Sequence, residues 1–248
     1  MTGIPVLLVF LVILLIRDGF KRRKPQPWLT LSLSLCVCLL VSNRWFSAIY
    51  RVPTASMEPT LHPGDYVSGV RFNGLLDDGK IQRGDIVVFK APVAPRTLYI
   101  KRVIGIPGDV IEFDKNKTYR VNGKPLGTLV KTVRQYSIYS ATSDRSNAPY
   151  HFVIDNKTTY VPTKGLWQIP KDYYFMAGDN RDHSWDSRYW ENPPGTPKHL
   201  RGLVPYERIE ARFITSLFNF LPFSHYDTMN GAMQVVRKNV DEVISNDH

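Results

Sequence analysis

Three stretches of this 248-residue sequence hold side chains whose types and spacing suit bond-breaking chemistry. The first is Pro53-Thr54-Ala55-Ser56-Met57-Glu58-Pro59-Thr60, where two prolines restrict the backbone and small Ala55 leaves room for an approaching chain. A serine hydroxyl attacks a carbonyl only if a base removes its proton. Lys101, in Leu98-Tyr99-Ile100-Lys101-Arg102-Val103-Ile104, is the candidate base. Strand alternation puts it on the face of Tyr99 and Val103, which is apolar. A lysine pressed into such surroundings loses hydration of its charged form, so its pKa should fall from ~10.4 toward neutrality. The third stretch, Gly178-Asp179-Asn180-Arg181-Asp182-His183-Ser184-Trp185-Asp186-Ser187-Arg188, is dense in hydrogen-bonding groups. Its Asp and Arg residues can pair to fix a loop, and neutral Ser184 can orient a lysine amine without raising its pKa. Together the three stretches suit acyl transfer by an activated serine.

These residues need a rigid scaffold, and the sequence suggests a β one. Short apolar runs at 66–72, 86–89, 98–104 and 110–113 are separated by Pro63-Gly64-Asp65, Arg83-Gly84-Asp85 and Pro107-Gly108-Asp109. No helical pattern of ten to fifteen residues separates them, which argues against parallel β-α-β units. Strand character returns at 173–176 and 208–218, while 122–170 is more polar, with a turn-rich run at 140–147, and reads as an inserted lobe. Met229, Met233, Val236, Val240 and then Val243 or Ile244 recur at helical spacing, so an amphipathic helix packed on the domain is expected near the C-terminus.

Ahead of the β region lie two uncharged hydrophobic segments, 1–16 and 25–43, joined by a hinge at 17–24 that holds five basic residues. The second has 19 residues, which at ~1.5 Å per residue nearly covers a hydrocarbon core of about 30 Å. The first is shorter and makes a marginal span. Its charges follow the apolar run, unlike those of a cleaved secretory signal. The positive-inside rule keeps the hinge cytoplasmic and sends everything after residue 43 to the far side. The aromatics of 45–50 then fall at the membrane interface. The hinge also holds five of the basic residues behind the +10 net charge, and no basic platform for nucleic acid is visible. Cys36 and Cys38, the two cysteines, both lie in the second hydrophobic segment, so the exported part should fold without disulfides. The six histidines are scattered singly, which leaves no metal-ligand spacing. A Ser/His/Asp triad from the adjacent Asp182, His183 and Ser184 is disfavoured, because sequence neighbours point apart.

Taken together, 56–61, 99–109 and 178–188 resemble, in order and spacing, the three motifs of the bacterial type I signal peptidases, over roughly residues 28–218. The resemblance implies Ser56 as nucleophile and Lys101 as general base. It implies Thr54 as an oxyanion-hole hydroxyl beside the Ser56 amide, Ser184 as the group positioning the lysine, and Arg102, Asp186 and Arg188 as supporting residues. It implies removal of signal peptides from preproteins with small residues before the cut, with no cofactor. The expected partners are preproteins, membrane lipid and the secretion machinery. The implied location is a bacterial inner membrane, crossed more than once, with the catalytic domain on the periplasmic side.

The expected architecture is mainly β. Transmembrane helices at 1–43 precede an antiparallel catalytic domain made of 44–121 and 171–218, with an inserted lobe at 122–170 and a tail with a helix at 219–248. The sequence departs from the family pattern in a Pro- and Gly-containing insertion at 191–201, a longer tail and a short first span. A narrower peptidase that matures pilin or conjugation proteins, and an inactive membrane-tethered peptide-binding module, stand as alternatives.

Overall fold

The computed structural model describes residues 47–71, 80–114, 117–158, 165–190, 192–219 and 239–242. Both hydrophobic segments, the hinge and most of the C-terminal tail lie outside the described residues. Among the described residues no helix is long and apolar enough to cross a membrane.

Among the described residues fourteen strands build three sheets, and every strand-to-strand pairing there is antiparallel. The largest contains β1 (Ser47–Arg51), β2 (Asp65–Arg71), β3 (Ile86–Lys90), β4 (Leu98–Gly105), β12 (Tyr173–Ala177), β13 (Val204–Pro205) and β14 (Ile209–Asn219), in the order β1-β2-β14-β3-β4-β12-β13. Strand β4 therefore lies between β3 and β12, and Val87 pairs with Lys101 across the sheet. A four-stranded sheet, β11-β5-β6-β7, joins β5 (Val110–Phe113), β6 (Tyr119–Val121), β7 (Lys124–Pro125) and β11 (Leu166–Gln168). A three-stranded sheet, β10-β9-β8, is made of β8 (Thr128–Val133), β9 (Tyr136–Thr142) and β10 (Pro149–Asp155).

One turn device recurs at the entrances to β2, β3 and β5. Gly64, Gly84 and Gly108 each adopt a φ of 90° or more in the left-handed region. In each case the following aspartate accepts the amide three residues back: Asp65 from His62 (2.7 Å), Asp85 from Gln82 (2.9 Å) and Asp109 from Ile106 (3.0 Å). The Gly-Asp pairs that read as turns in the sequence are thus carboxylate-locked corners.

Residues 47–51 form strand β1, paired with β2 from Ser47↔Val70 to Arg51↔Tyr66. One reading of local sequence is corrected. Residues 140–142 belong to β9, and the turn begins only at Ser143. In the tail, residues 239–242 are helical.

Buried side chains gather in clusters on the two faces of the large sheet. Val87, Phe89, Val103, Met176 and Trp190 pack on one side of β3, β4 and β12, and Ile104, Phe175, Trp167 and Leu203 on another. Burial of large aliphatic and aromatic groups, roughly 1.5–3 kcal/mol each, clamps β4 from both sides. That rigidity positions what β4 carries.

Candidate active site

Ser56 sits in a short 3-10 turn, Ala55–Met57, that follows β1. Met57 and Leu61 anchor this loop in the core, each only 1% exposed, so the serine backbone is held by its neighbours. Lys101 projects from the middle of β4 and is 5% exposed. Its Nζ lies 2.5 Å from Ser56 Oγ and 5.7 Å from the Tyr99 ring centroid. Removal from water pushes the lysine down to about 8, outweighing the carboxylates of Asp186 and Asp179, which pull it up; Arg188 adds to the depression. A lysine so poised exchanges its proton near physiological pH and can accept one from the serine.

Thr54, extended at φ −137° and ψ 160°, donates its hydroxyl to Ser56 Oγ at 3.2 Å. Arg102 alternates to the opposite face of β4 from Lys101. There it pairs with Asp179 through two bonds of 2.8 and 2.6 Å, donates to the Gly84 carbonyl at 2.6 Å, and stacks on Tyr150 at 4.0 Å. Thr60 donates to Asp179 Oδ2 at 2.5 Å, so the serine loop, β4 and the segment after β12 converge on one carboxylate.

Asp186 and Arg188 pair at 2.8 Å, both fully withdrawn from solvent. Burial alone would raise the Asp186 pKa, but the Arg188 charge and hydrogen bonds, with the Gly178 amide at 3.1 Å, hold it below the ordinary carboxylate value. Arg188 also donates to the Arg181 carbonyl, tying the loop to itself.

Ser184 does not meet the expectation of a bond to Lys101. Its buried Oγ lies near enough to Asp186 to favour the ionised carboxylate, yet among the described residues no neighbour meets it in hydrogen-bonding geometry. It sits beside Gly178, whose missing Cβ would come within 2.4 Å of Ser184 Oγ and 2.3 Å of the Ser56 carbonyl. Gly178 is therefore the spacer that lets the C-terminal loop close on the nucleophile.

Three contributors went unnoticed in the sequence. Asp179 is the hub just described, while Asn180 donates its amide to the Ser56 carbonyl (3.2 Å) and its side chain to the Ala55 carbonyl (3.2 Å). Thr60 closes the triangle with Arg102 and Asp179. All lie within the motifs, but only spatial closure reveals their partners. His183 ends a short 3-10 turn, Arg181–His183, and is about half exposed. Among the described residues no cluster of His, Cys, Asp and Glu is arranged to hold a metal ion.

The Arg102–Asp179 bridge supplies a stability prediction. Arg102→Met leaves the Asp179 carboxylate buried with Thr60 as its remaining side-chain donor, which should cost about 3–5 kcal/mol. Urea unfolding of both proteins checks this, and a loss below about 1 kcal/mol contradicts the bridge's assigned importance.

A serine hydroxyl in direct contact with a buried, readily neutralised amine on an antiparallel β frame is equipped for nucleophilic acyl transfer with an amine base. Comparison with known proteins agrees on the lineage: residues 26–218 match the family model described as signal peptidase, peptidase S26, and the chain belongs to that family. Signal peptidase I of Pseudomonas fluorescens is 36% identical over 190 residues, covering 70% of this chain and 66% of that protein. A probable signal peptidase I-2 of Synechocystis is 32% identical over 209 residues, covering 80% of this chain and 78% of that one. The chain thus spans about two thirds of the length of its Pseudomonas relative. A crystal structure of a signal peptidase I from Enterococcus faecalis is similar over 55% of this chain and 97% of its own, with 26% identity and a TM-score of 0.32.

Proposed function

We propose that this protein is a membrane-anchored serine endopeptidase that removes N-terminal signal peptides from exported preproteins. The observation that carries the reading is the 2.5 Å contact between Ser56 Oγ and a buried Lys101 amine whose pKa lies at about 8. The family membership and the relatives named signal peptidase I support the substrate class. Neutral Lys101 accepts the serine proton as Ser56 Oγ attacks the scissile carbonyl, and the leaving amine then takes that proton. Water hydrolyses the acyl-enzyme, with Lys101 again as base. Thr54, whose hydroxyl lies beside Ser56 Oγ, is the candidate side-chain donor to the oxyanion together with the Ser56 amide. Arg102, Asp179, Asp186 and Arg188 hold these groups in place, and Ser184 fills the space behind them. The hydrophobic segments 1–16 and 25–43 with their basic hinge support a double-spanning anchor and a catalytic part on the periplasmic side of an inner membrane.

The test is cleavage of a signal-bearing preprotein in detergent micelles, with the new N-terminus identified by mass spectrometry and Ser56→Ala as the blank. A single cut after a small residue, absent from the blank and insensitive to chelator, is expected; an idle wild type, or an active blank, overturns the reading. The acid limb of the kcat/KM profile should have its midpoint at about pH 8, where Lys101 loses its proton. Activity then rises with pH through that value, and a limb centred near 6 points to a histidine base instead.

A further inference from the structure

The three-stranded sheet β8–β10 presents apolar side chains on both faces, and a sheet of this kind needs cover on each. Tyr150, Phe152 and Ile154 of β10 turn to one side, where Leu126 packs against them. Val153 turns to the other and forms a cluster with Tyr136 and Ile138, each at most 3% exposed, and with Val240 from the C-terminal tail. Val240 is itself 4% exposed. Its neighbours reinforce the seating: Asn239 Oδ1 accepts from Lys131 Nζ of β8 at 2.5 Å, and Glu242 lies 3.9 Å from the same amine. In the sequence Val240 belongs to the helical-spacing stripe that includes Met233 and Val236. The family match ends at residue 218, so this contact is made by a part of the chain beyond it.

Val153 also reaches the site. Its amide donates to the Asp179 carbonyl at 2.8 Å, and the two segments form a parallel bridge, Val153↔Asn180. Asn180 in turn donates its amide to the Ser56 carbonyl and its side chain to the Ala55 carbonyl. One residue of β10 thus has its side chain under the tail and its backbone on the loop that supports the nucleophile.

We propose that the C-terminal segment at Val240 is a positioning element for the active site: packed against Val153, it holds the Asp179–Asn180 backbone against the Ser56 turn. The proposal rests on Ser56 being the nucleophile only for its kinetic consequence, and its structural consequence stands without it. Removing the tail's apolar contact lets β10 shift on that face, and the hydrogen bonds from Val153 to Asp179 and from Asn180 to Ser56 open more often.

Amide hydrogen exchange of the full chain in detergent, with Val240→Asp and the conservative Val240→Leu, tests it. In Val240→Asp the Val153 and Asn180 amides should exchange about tenfold faster or more, the factor matching one lost aliphatic burial, while amides of β3 keep their protection. In the preprotein assay kcat should fall about tenfold with KM held, since the nucleophile and not the substrate cleft is loosened. Val240→Leu should restore both. Unchanged exchange at Val153 and Asn180 overturns the proposal, as does equal acceleration at β3, which marks a purely global stabiliser. If Val240→Asp does not fold, Val240→Ala is read by the same criteria. A wild type that cuts no preprotein defeats the proposed function alone, because the exchange measurement still decides this one.

Discussion

Lys101→Met is expected to abolish cleavage and, in the same protein, to strengthen the fold at neutral pH. A positioned general base contributes about 10²–10⁴ to turnover, and methionine offers no lone pair to a serine proton. Turnover should therefore fall at least into that range, with substrate binding intact. The stability gain follows from the cost of keeping an amine in an apolar site. The unfolded chain holds the lysine proton up to about 10.5, whereas the folded chain releases it near 8. Between those values the unfolded state carries the extra proton, so wild-type stability climbs with pH. Below about 8 the folded state bears the whole penalty, on the order of 3 kcal/mol for a depression of that size. Methionine carries no such penalty and fills a similar volume. Urea unfolding at about pH 7 and pH 10 should show the two proteins converging at the higher value. A variant that is less stable at both pH values, or that retains more than a tenth of wild-type turnover, rules out this account of Lys101.

Gly178→Ala should be nearly as damaging to activity by a different route. The added methyl would meet the Ser56 carbonyl at 2.3 Å and the Ser184 hydroxyl at 2.4 Å, distances that neither backbone nor packed side chain can accommodate without moving. Either the serine turn retreats from Lys101 or the loop retreats from the turn, breaking the Asn180 amide bond to the Ser56 carbonyl. A displacement of about 1 Å at a reacting group can cost 10²-fold in rate, and overpacking of this kind costs about 1–3 kcal/mol in stability. The expected result is a folded protein with a lowered Tm and turnover reduced about 10² or more. Wild-type turnover in a folded Gly178→Ala protein contradicts the close approach seen between the two segments.

How far such residues could be foreseen depended on what kind of signal each carries. The pairing of Ser56 with Lys101 was legible because local context, prolines around one and an apolar strand around the other, changes the chemistry expected of each. Strands β2 to β5 were legible from apolar runs bounded by Gly-Asp corners. Strand β8 was not, since Thr128 to Thr132 are all exposed and leave no inside-outside alternation to detect. Strand β10 was obscured in the opposite way, with six consecutive buried residues, including His151 and Asp155, that read as a polar mixture. Strand β1 follows a hydrophobic segment directly, so its Ile49 and Tyr50 looked like a continuation of the membrane interface. Asp179 and Asn180 stood in plain view within a recognisable motif. Their partners, Arg102 and Thr60 for one and the Ser56 turn for the other, come from distant sequence, and spacing along a chain carries no information about such closure. The weak geometry of Ser184 reflects the same limit: a hydroxyl's presence can be read, but not the direction in which it points.

That closure also sets when the protein can act during its own synthesis. Ser56 and Lys101 are 45 residues apart, but the Arg102–Asp179 and Thr60–Asp179 contacts span 77 and 119. Until β12 has paired with β4 and delivered the 178–188 loop, the lysine remains hydrated and protonated and the serine turn lacks its support. A nascent chain emerging from the ribosome is therefore inert until the 178–188 loop has been made, with contacts of such separation among the last to form. The emerging chain is thereby kept from attacking itself, or the machinery around it, until synthesis has passed that loop.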